Sequence, residues 1–354
     1  MTLKTVRHVF VTTCLTLTAL VVVGSSLSLA GKPGGGGGGS GTTGEGTIYF
    51  AARDLNGVYR LHTMNSDGSG KTALPLSGAG GPSRLLHGGH RWFISPRAIA
   101  ETYPNGYPRY EQLAYRDDGD ESVSVQLTDD PTFLRFGTWN WAPAENAAAG
   151  LISGFGGRSV FDGVDWVTDP DSVGIYTATV LFDEQGNVLG LEAPPAFLAS
   201  VGVVAGENPG TWYPDAYAGF DWSPDLTEVV FNNEAWTALR ILNLASGEVR
   251  TLTTGGGPSH ARWSPAGNLI VFGSGYGTIE TIAPDGTGRK EVIRSGVSYG
   301  YFYPDFSPTG SHILYSRIPH GSLESDLYRA APSGSNKVNL TSGIPGRETS
   351  YGWR

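Results

Sequence analysis

The sequence is almost free of cysteine, since Cys14 is the only one among 354 residues. It lies in an apolar N-terminal stretch that is typical of a removable export signal, so the exported chain would contain no thiol and no disulfide. Its stability is then expected to come from packing. Charged residues are also scarce, at 16%, whereas apolar residues make up 39%. This balance allows a sizeable core and argues against wholesale disorder.

A surplus of positive charge is also missing, because 24 Lys and Arg stand against 33 Asp and Glu, for a net charge of −9. Lys4 and Arg7 are the only charged residues within 1–30, so the chain without that segment carries −11. An acidic chain with scattered lysines is not expected to bind nucleic acid or an anionic membrane surface.

Recognisable catalytic motifs are lacking too. No Gly-x-Ser-x-Gly nucleophile elbow precedes a helix, and no phosphate-binding glycine loop stands between a strand and a helix. The glycine runs at 78–81 and 255–257 are interpreted as connections between repeats. We therefore predict no catalytic residue, no metal and no cofactor.

The first 30 residues have the order of a secretory signal. Lys4 and Arg7 come first, an apolar run follows over Val9–Val23, and Ser28-Leu29-Ala30 offers a cleavage site. The alternative is an uncleaved anchor, although the apolar run is short for a membrane span. Residues 11–14 match a lipoprotein box poorly, which favours a soluble periplasmic or extracellular product with no membrane insertion. The glycine-rich segment 31–46 is predicted to be a flexible tether.

One short stretch recurs along the chain, with an aromatic residue, a small residue, a proline and a turn. Clear copies lie at 221–225, 262–267 and 305–310, a fainter one at 140–144 and a truncated one at 351–354. The aromatic residues of the later copies are 41, 43 and 47 residues apart. Each clear copy is followed by an apolar run and two further strand-like segments. A period of about 40 to 45 residues with four strands is typical of a β-propeller blade.

The two termini determine the predicted number of blades. The chain ends in a bare first strand at 348–354 and begins with a second, third and fourth strand over 47–74. Together they make one composite blade, which closes the ring by pairing the C-terminal strand with the N-terminal strands. The other blades are centred on five aromatic residues, which are Trp92, Trp141, Trp222, Trp263 and Phe306. The predicted fold class is therefore an all-β, six-bladed propeller of four-stranded blades. Seven blades are the alternative, if the irregular stretch 155–217 contains another.

Three inserts interrupt the early blades. They are an aromatic insert over 100–110, a loop over 155–172 and a long connection over 193–217. Loops displayed on a rigid ring commonly carry binding surfaces.

The repeat resembles that of the TolB-type, WD-like propellers, in which an aromatic-Ser-Pro-Asp-Gly turn precedes an apolar strand, a strand ending at Asp-Gly and a Leu-Thr pair. The resemblance covers nearly all of 47–354; it is strong over 217–354 and in the composite blade, and weak over 84–217. It implies a six-bladed propeller, export and binding through one face of the ring, but no particular reaction. TolB proteins carry an extra N-terminal α/β domain, whose place is taken here by the glycine tether.

Candidate binding residues lie three and five positions before each repeat aromatic, where the innermost strand begins near the mouth of the central channel. Polar and aromatic side chains at a concave mouth suit a ligand or a peptide. The alternative is an ordinary solvated rim. The repeat aromatics themselves are interpreted as wedges between blades. The predicted binding residues are Tyr217, His260, Tyr301, Tyr303 and Glu348.

Three weaker chemical candidates remain open. His260 has the chemistry of a general base or a metal ligand, but no second histidine occupies an equivalent mouth position. The acidic stretch Asp117–Glu121 and the pair Asp169 and Asp171 have carboxylates suited to calcium, with a solvated acidic turn as the alternative.

The favoured function is that of an exported, monomeric, non-catalytic module that binds another envelope or extracellular protein, or a small ligand, at the channel mouth. The alternative is a propeller enzyme, a lyase or hydrolase acting on a carbohydrate or ester with a metal-assisted site there. A third hypothesis is a surface or matrix protein in which the tether matters more than any pocket.

Overall fold

The structure is a computed structural model in which part of the chain is described. The described residues are 45–53, 59–77, 85–87, 90–102, 108–116, 125–128, 133–134, 140–141, 150–161, 166–172, 174–200, 220–232, 237–275, 277–294, 303–318, 324–342, 344 and 348–353. The predicted signal 1–30 and all of the tether before Glu45 lie outside them. The described part belongs to one unit that spans 41–354. Within the described ranges, no helix is long and apolar enough to cross a membrane.

The described chain opens with three antiparallel strands, which are β1 (Thr47–Arg53), β2 (Tyr59–Asn65) and β3 (Thr72–Ser77). A separate four-stranded sheet follows, made of β4 (Leu85–His87), β5 (His90–Thr102), β6 (Pro108–Arg116) and β7 (Val125–Thr128). Of the predicted insert 100–110, residues 100–102 belong to β5 and 108–110 to β6, with Thr102 paired to Pro108, and 103–107 lie outside the described residues.

The next sheet departs from the blade pattern because it has seven strands. They are β8 (Phe133–Leu134), β9 (Asn140–Trp141), β10 (Leu151–Phe161), β11 (Trp166–Thr168), β12 (Gly174–Phe182), β13 (Val188–Leu191) and β14 (Ala196–Ser200). The prediction of a loop over 155–172 was wrong for most of that stretch. Strand β10 continues to Phe161 and pairs with β8, β9, β11 and β12, and a 3₁₀ turn covers Pro170–Ser172.

The strongest repeats fold as two regular four-stranded blades. The first contains β15 (Phe220–Trp222), β16 (Glu228–Asn232), β17 (Ala238–Asn243) and β18 (Val249–Thr254). The second contains β19 (Ser259–Trp263), β20 (Ile270–Ser274), β21 (Thr278–Ile282) and β22 (Lys290–Arg294). In both, each strand pairs with the next one along the chain.

A third regular blade completes this series, with β23 (Asp305–Phe306), β24 (Ile313–Arg317), β25 (Asp326–Ala330) and β26 (Val338–Asn339). The last strand, β27 (Glu348–Trp353), pairs antiparallel with β1, so that Trp353 lies opposite Ile48 and Glu348 opposite Ala52. The predicted composite blade is thus observed, in the order β27-β1-β2-β3.

The all-β propeller of four-stranded blades is confirmed, but the count of six is not. Five sheets have four strands, and the remaining described sheet has seven. The repeat signal is faint in that region, and the long strand β10 offers both of its edges to additional partners. The shape of this sheet therefore depends on which of the segments before and after β10 pair with it.

The core lies between blades, as the apolar second strands lead one to expect for sheets covered on both faces. All five residues of β20 are buried. One cluster joins Val230 and Leu239 of one blade to Trp263 and Phe272 of the next. The repeat aromatics Trp222, Trp263, Phe306 and Trp353 are all buried.

The indole nitrogens of two of these wedges differ in their surroundings. Trp222 Nε1 donates a 2.7 Å hydrogen bond to Ser153 Oγ of the preceding sheet. Trp263 Nε1 is buried and has no hydrogen-bond partner in the described part of the chain. Ser153 pairs with Asn140, the residue just before the repeat aromatic of its sheet. In the blade that packs against Trp263, the equivalent position is Val230, which pairs with Asp221. One wedge therefore has a polar partner that the other lacks.

The serine of the repeat closes the turn after each aromatic residue. Ser223, Ser264 and Ser307 each accept a hydrogen bond from the backbone N–H five residues later, at 2.9, 3.1 and 3.1 Å. The left-handed position of this turn is Gly267 or Gly310 in two copies, and Leu226 with φ 61° in the third. These local contacts explain why the motif recurs with so little variation.

Candidate ligand-binding face

The first strands of neighbouring blades contact one another, so they form the innermost row of the described blades. Side chains link them: Asp221 Oδ2 accepts a 2.8 Å bond from Trp263 N, and Asp305 Oδ2 accepts a 3.0 Å bond from Trp353 N. In an antiparallel meander, one end of each blade carries the start of the first strand, and the other end carries the aromatic-Ser-Pro turn. We call the first end the channel-mouth face and define it by His260, Tyr303 and Glu348.

His260 and Tyr303, predicted from equivalent repeat positions, lie together on this face. Their ring centroids are 4.5 Å apart with an interplanar angle of 66°, an edge-to-face contact between two blades. His260 is only 6% exposed, whereas Tyr303 is partly exposed. An edge-to-face aromatic pair adds about 0.5–1.5 kcal/mol beyond its buried area.

The backbone at His260 is unusual for an inner strand. Its φ is 52°, and the pairing of β19 with β20 shifts register between Ser259 and Arg262. Among the described residues, the other non-glycine residues with positive φ are Leu226 and Asn336, and both lie in turns between strands. A left-handed L-residue costs roughly 1–2 kcal/mol. Bulges of this kind redirect side chains and are frequent next to binding and active sites.

Glu348 starts β27 on the same face, but its side chain is fully buried. Its Oε2 accepts a 2.8 Å hydrogen bond from Thr341 Oγ1, and its Oε1 has no hydrogen-bond partner among the described residues. Burial, followed by the nearby Asp326 and Glu324 carboxylates, raises the pKa of Glu348 to about 8. This side chain therefore belongs to the contact between two blades rather than to an open rim.

The other predicted site residues are only partly covered. Tyr217, Tyr301 and the acidic stretch Asp117–Glu121 lie outside the described residues. Asp169 Oδ1 accepts a hydrogen bond from Asp171 N at 3.1 Å, which is a turn contact at the start of the 3₁₀ segment. Within the described ranges, no group of three or more His, Cys, Asp or Glu side chains is arranged to hold a metal ion.

Sequence reasoning missed several buried polar residues at the channel-mouth ends of the second strands. Asn232 is 6% exposed, Ser274 4% and Ser316 2%. Asn232 and Ser316 follow directly on the apolar run of their strands, and Ser274 follows one glycine later, so the change from apolar to polar at the strand end was the available signal. Arg317, one residue further on, lies with its guanidinium 5.5 Å from the centroid of the Tyr328 ring.

A second polar cluster lies at the opposite end of the blades and was also missed. Glu45 Oε1 accepts hydrogen bonds from Thr309 Oγ1 at 3.0 Å and Ser311 Oγ at 2.5 Å, and Oε2 lies 3.3 Å from His312 Nδ1. Trp353 Nε1 donates to the Glu45 carbonyl oxygen. Burial acts to raise the pKa of Glu45, but the bonds from Ser311 and Thr309 and the His312 charge keep it below its ordinary value.

No known family model matches the sequence, and no curated protein matches it. Solved structures do match. TolB from Acinetobacter baumannii is 14% identical over 87% of this chain and 68% of that chain, with a TM-score of 0.53. Hydrazine synthase from Kuenenia stuttgartiensis is 12% identical over 88% of this chain, with a TM-score of 0.55, and this chain spans 48% of its length. A putative TolB from Agrobacterium tumefaciens is 14% identical over 88% of this chain and 94% of its own, with a TM-score of 0.49. At these identities the likeness concerns the β-propeller fold alone.

Proposed function

We propose that this chain is an exported β-propeller that acts as a non-catalytic binding module, with a protein or a small ligand held at its channel-mouth face. The observation that carries the proposal is the bulged, left-handed His260 whose ring contacts Tyr303 at 4.5 Å. The strain at His260 serves no turn between strands. A costly backbone conformation that brings two polar-aromatic rings together between blades is best explained by a binding task.

The chemistry of this pair suits recognition. A tyrosine ring offers a flat apolar surface with a hydroxyl that donates and accepts hydrogen bonds. A neutral imidazole adds one ring nitrogen that donates a hydrogen bond and one that accepts. Buried polar side chains on the same face, such as Asn232 and Ser274, add orienting groups. Ligand sites are typically lined by apolar and aromatic side chains, with a small number of polar groups that point toward the ligand.

The proposed organisation keeps residues 1–30 as the signal, 31–46 as the tether and 47–354 as a TolB-like propeller. Export rests on the order of charge, apolar run and small residues in the first segment. In a six-bladed ring, the seven-stranded sheet would occupy the place of the remaining blade. The fold shared with TolB from A. baumannii supports this reading of the ring.

The alternative of a metal-assisted lyase or hydrolase has less support. The name of the K. stuttgartiensis structure shows that an enzyme can include this fold, so the fold itself permits catalysis. No group of metal ligands occurs among the described residues to favour it. A role centred on the tether stays a third hypothesis, tested by deleting 31–44, which keeps the hydrogen-bonded Glu45 in place.

In the test, residues 31–354 are immobilised, and the amount of each component captured from the extracellular and envelope fraction of the native host is measured. The parent protein is compared with the variants Tyr303→Ala and His260→Asn. Asparagine tolerates a left-handed backbone, so the second variant removes the ring while keeping the bulge. The control is Glu248→Ala, an exposed residue of the hairpin at the opposite end of its blade.

We expect one component to be retained by the parent and by the control, and to be lost with both mouth variants. Capture that survives both mouth substitutions would contradict the site. Stoichiometric bound metal with substrate turnover would support the enzyme instead.

A further inference from the structure

The closing strand β27 is fastened at its first residue. Glu348 N donates to Ser325 O at 3.2 Å, and Ser325 Oγ donates to Glu348 O at 2.7 Å, so the two residues bond reciprocally across neighbouring blades. Thr341 Oγ1 donates to Glu348 Oε2 and accepts from Leu327 N at 2.9 Å. Thr341 is itself fully buried. We call this contact between β27 and the blade of β23–β26 the closing contact.

The surroundings of the Glu348 carboxyl do little to stabilise a negative charge. It is 0% exposed, and one of its two oxygens has no hydrogen-bond partner in the described part of the chain. The charged groups that face it are Asp326, where β25 begins, Glu324, just before that strand, and Lys71, in the β2–β3 hairpin. The two acidic groups disfavour ionisation and Lys71 favours it. An ionised carboxylate that is buried with a single donor costs several kcal/mol, whereas the neutral acid does not.

We propose that Glu348 makes the closure of the propeller sensitive to pH, because β27 stays docked while this carboxyl is protonated and detaches locally once it is ionised. The device stands on the full burial of the side chain, its single donor and its position on the strand that joins the two ends of the chain. Because β27 begins on the channel-mouth face beside β23, its release would loosen the face next to Tyr303.

The direction of the effect follows from proton linkage. In the detached strand, Glu348 is solvated and ionises in the ordinary glutamate range. When docked, its pKa is raised to about 8. Stabilisation of the closing contact is therefore complete below the ordinary range and is lost as pH rises to about 8. The opening constant should rise by up to about tenfold per pH unit between about pH 5 and 8, and then level off.

Hydrogen exchange measured by mass spectrometry on residues 31–354 tests this device, at about pH 5.5, 6.5, 7.5 and 8.5 and with correction for intrinsic exchange. We expect the opening constant of the amides of β27 to increase about a hundredfold from pH 5.5 to 7.5. In Glu348→Gln the same amides should show little pH dependence, because the amide side chain does not ionise. Glu248→Gln, which changes an exposed carboxyl, should behave like the parent.

The amides of β20, which lies away from the closing contact, serve as an internal reference. A flat profile for β27 in the parent protein would overturn the proposal, and so would a parental slope that persists in Glu348→Gln. Should that variant not fold, the parental profile alone decides the question. The outcome is independent of whether the channel-mouth face binds a partner.

Discussion

Gly334→Ala tests how adjacent blades pack. Gly334 lies in the hairpin between β25 and β26 with φ 84°, and a methyl group there would lie 1.8 Å from Val292 O in β22 of the neighbouring blade. Gly247 occupies the corresponding hairpin between β17 and β18 with φ 70°, but an added methyl would meet nothing within 4 Å. The two substitutions thus share a backbone cost and differ in a steric one.

The magnitudes can be separated. Left-handed backbone in an L-residue costs about 1–2 kcal/mol, and both variants should lose this amount of unfolding free energy. Only Gly334→Ala also forces the added methyl group against the backbone carbonyl of Val292, and overpacking of this kind typically costs about 1–3 kcal/mol. We therefore expect Gly334→Ala to be less stable than Gly247→Ala by about 2 kcal/mol.

Equilibrium unfolding in urea, with the slope compared between variants, measures the difference. Hydrogen exchange in β22 provides a local readout, since its amides should lose protection in Gly334→Ala and keep it in Gly247→Ala. Equal losses of stability in the two variants, with β22 unaffected, would refute the packing of this hairpin against Val292.

Further predictions concern a buried indole and the anchoring of the N-terminal end. Val230→Ser places a hydroxyl near the buried Trp263 Nε1. In urea unfolding it should lose about 1 kcal/mol less unfolding free energy than Val271→Ser, because the aromatic residue beside Val271 is Phe306, which has no N–H. Equal losses in the two variants would contradict this. Glu45→Gln removes the carboxylate that Thr309 and Ser311 hold and should lower stability by about 1–2 kcal/mol. Because the pKa of Glu45 is lowered in the folded state, its contribution is present above the ordinary glutamate pKa and is lost as pH falls through the folded value. Thermal unfolding of both proteins should therefore converge in acid, and a gap that persists there would contradict the prediction.

The regular blades could be predicted from sequence because their determinants are local. In Ser264 and Ser307 the side chain bonds the backbone five residues on, and Gly267 and Gly310 supply the left-handed turn position, so each motif specifies its own hairpin. The composite blade followed from the same pattern. A first strand without a blade at 348–354 and three strands without a first strand at 47–74 each leave an unpaired edge, and pairing them with each other removes both edges.

The seven-stranded sheet could not be predicted in this way. Strand β10 pairs through Arg158 with Phe133 and through Phe161 with Trp166, segments on either side of it in the chain. Which segments bond to an extended strand depends on what lies within reach after folding. The predicted loop over 155–172 and the predicted sixth four-stranded blade therefore failed in the same region.

The sequence by itself determined the repeat, its period and the alignment of His260 with Tyr303, because these depend on residues a fixed distance from each aromatic wedge. Only the tertiary structure decided that the two rings meet, since the contact needs a bulge and a left-handed backbone at a residue that is not glycine. It also decided that Glu348 is buried and Glu45 anchored, because each carboxylate bonds to a side chain of the β23–β26 blade, Thr341 for Glu348 and Ser311 for Glu45, and these contacts form only when the blades pack together.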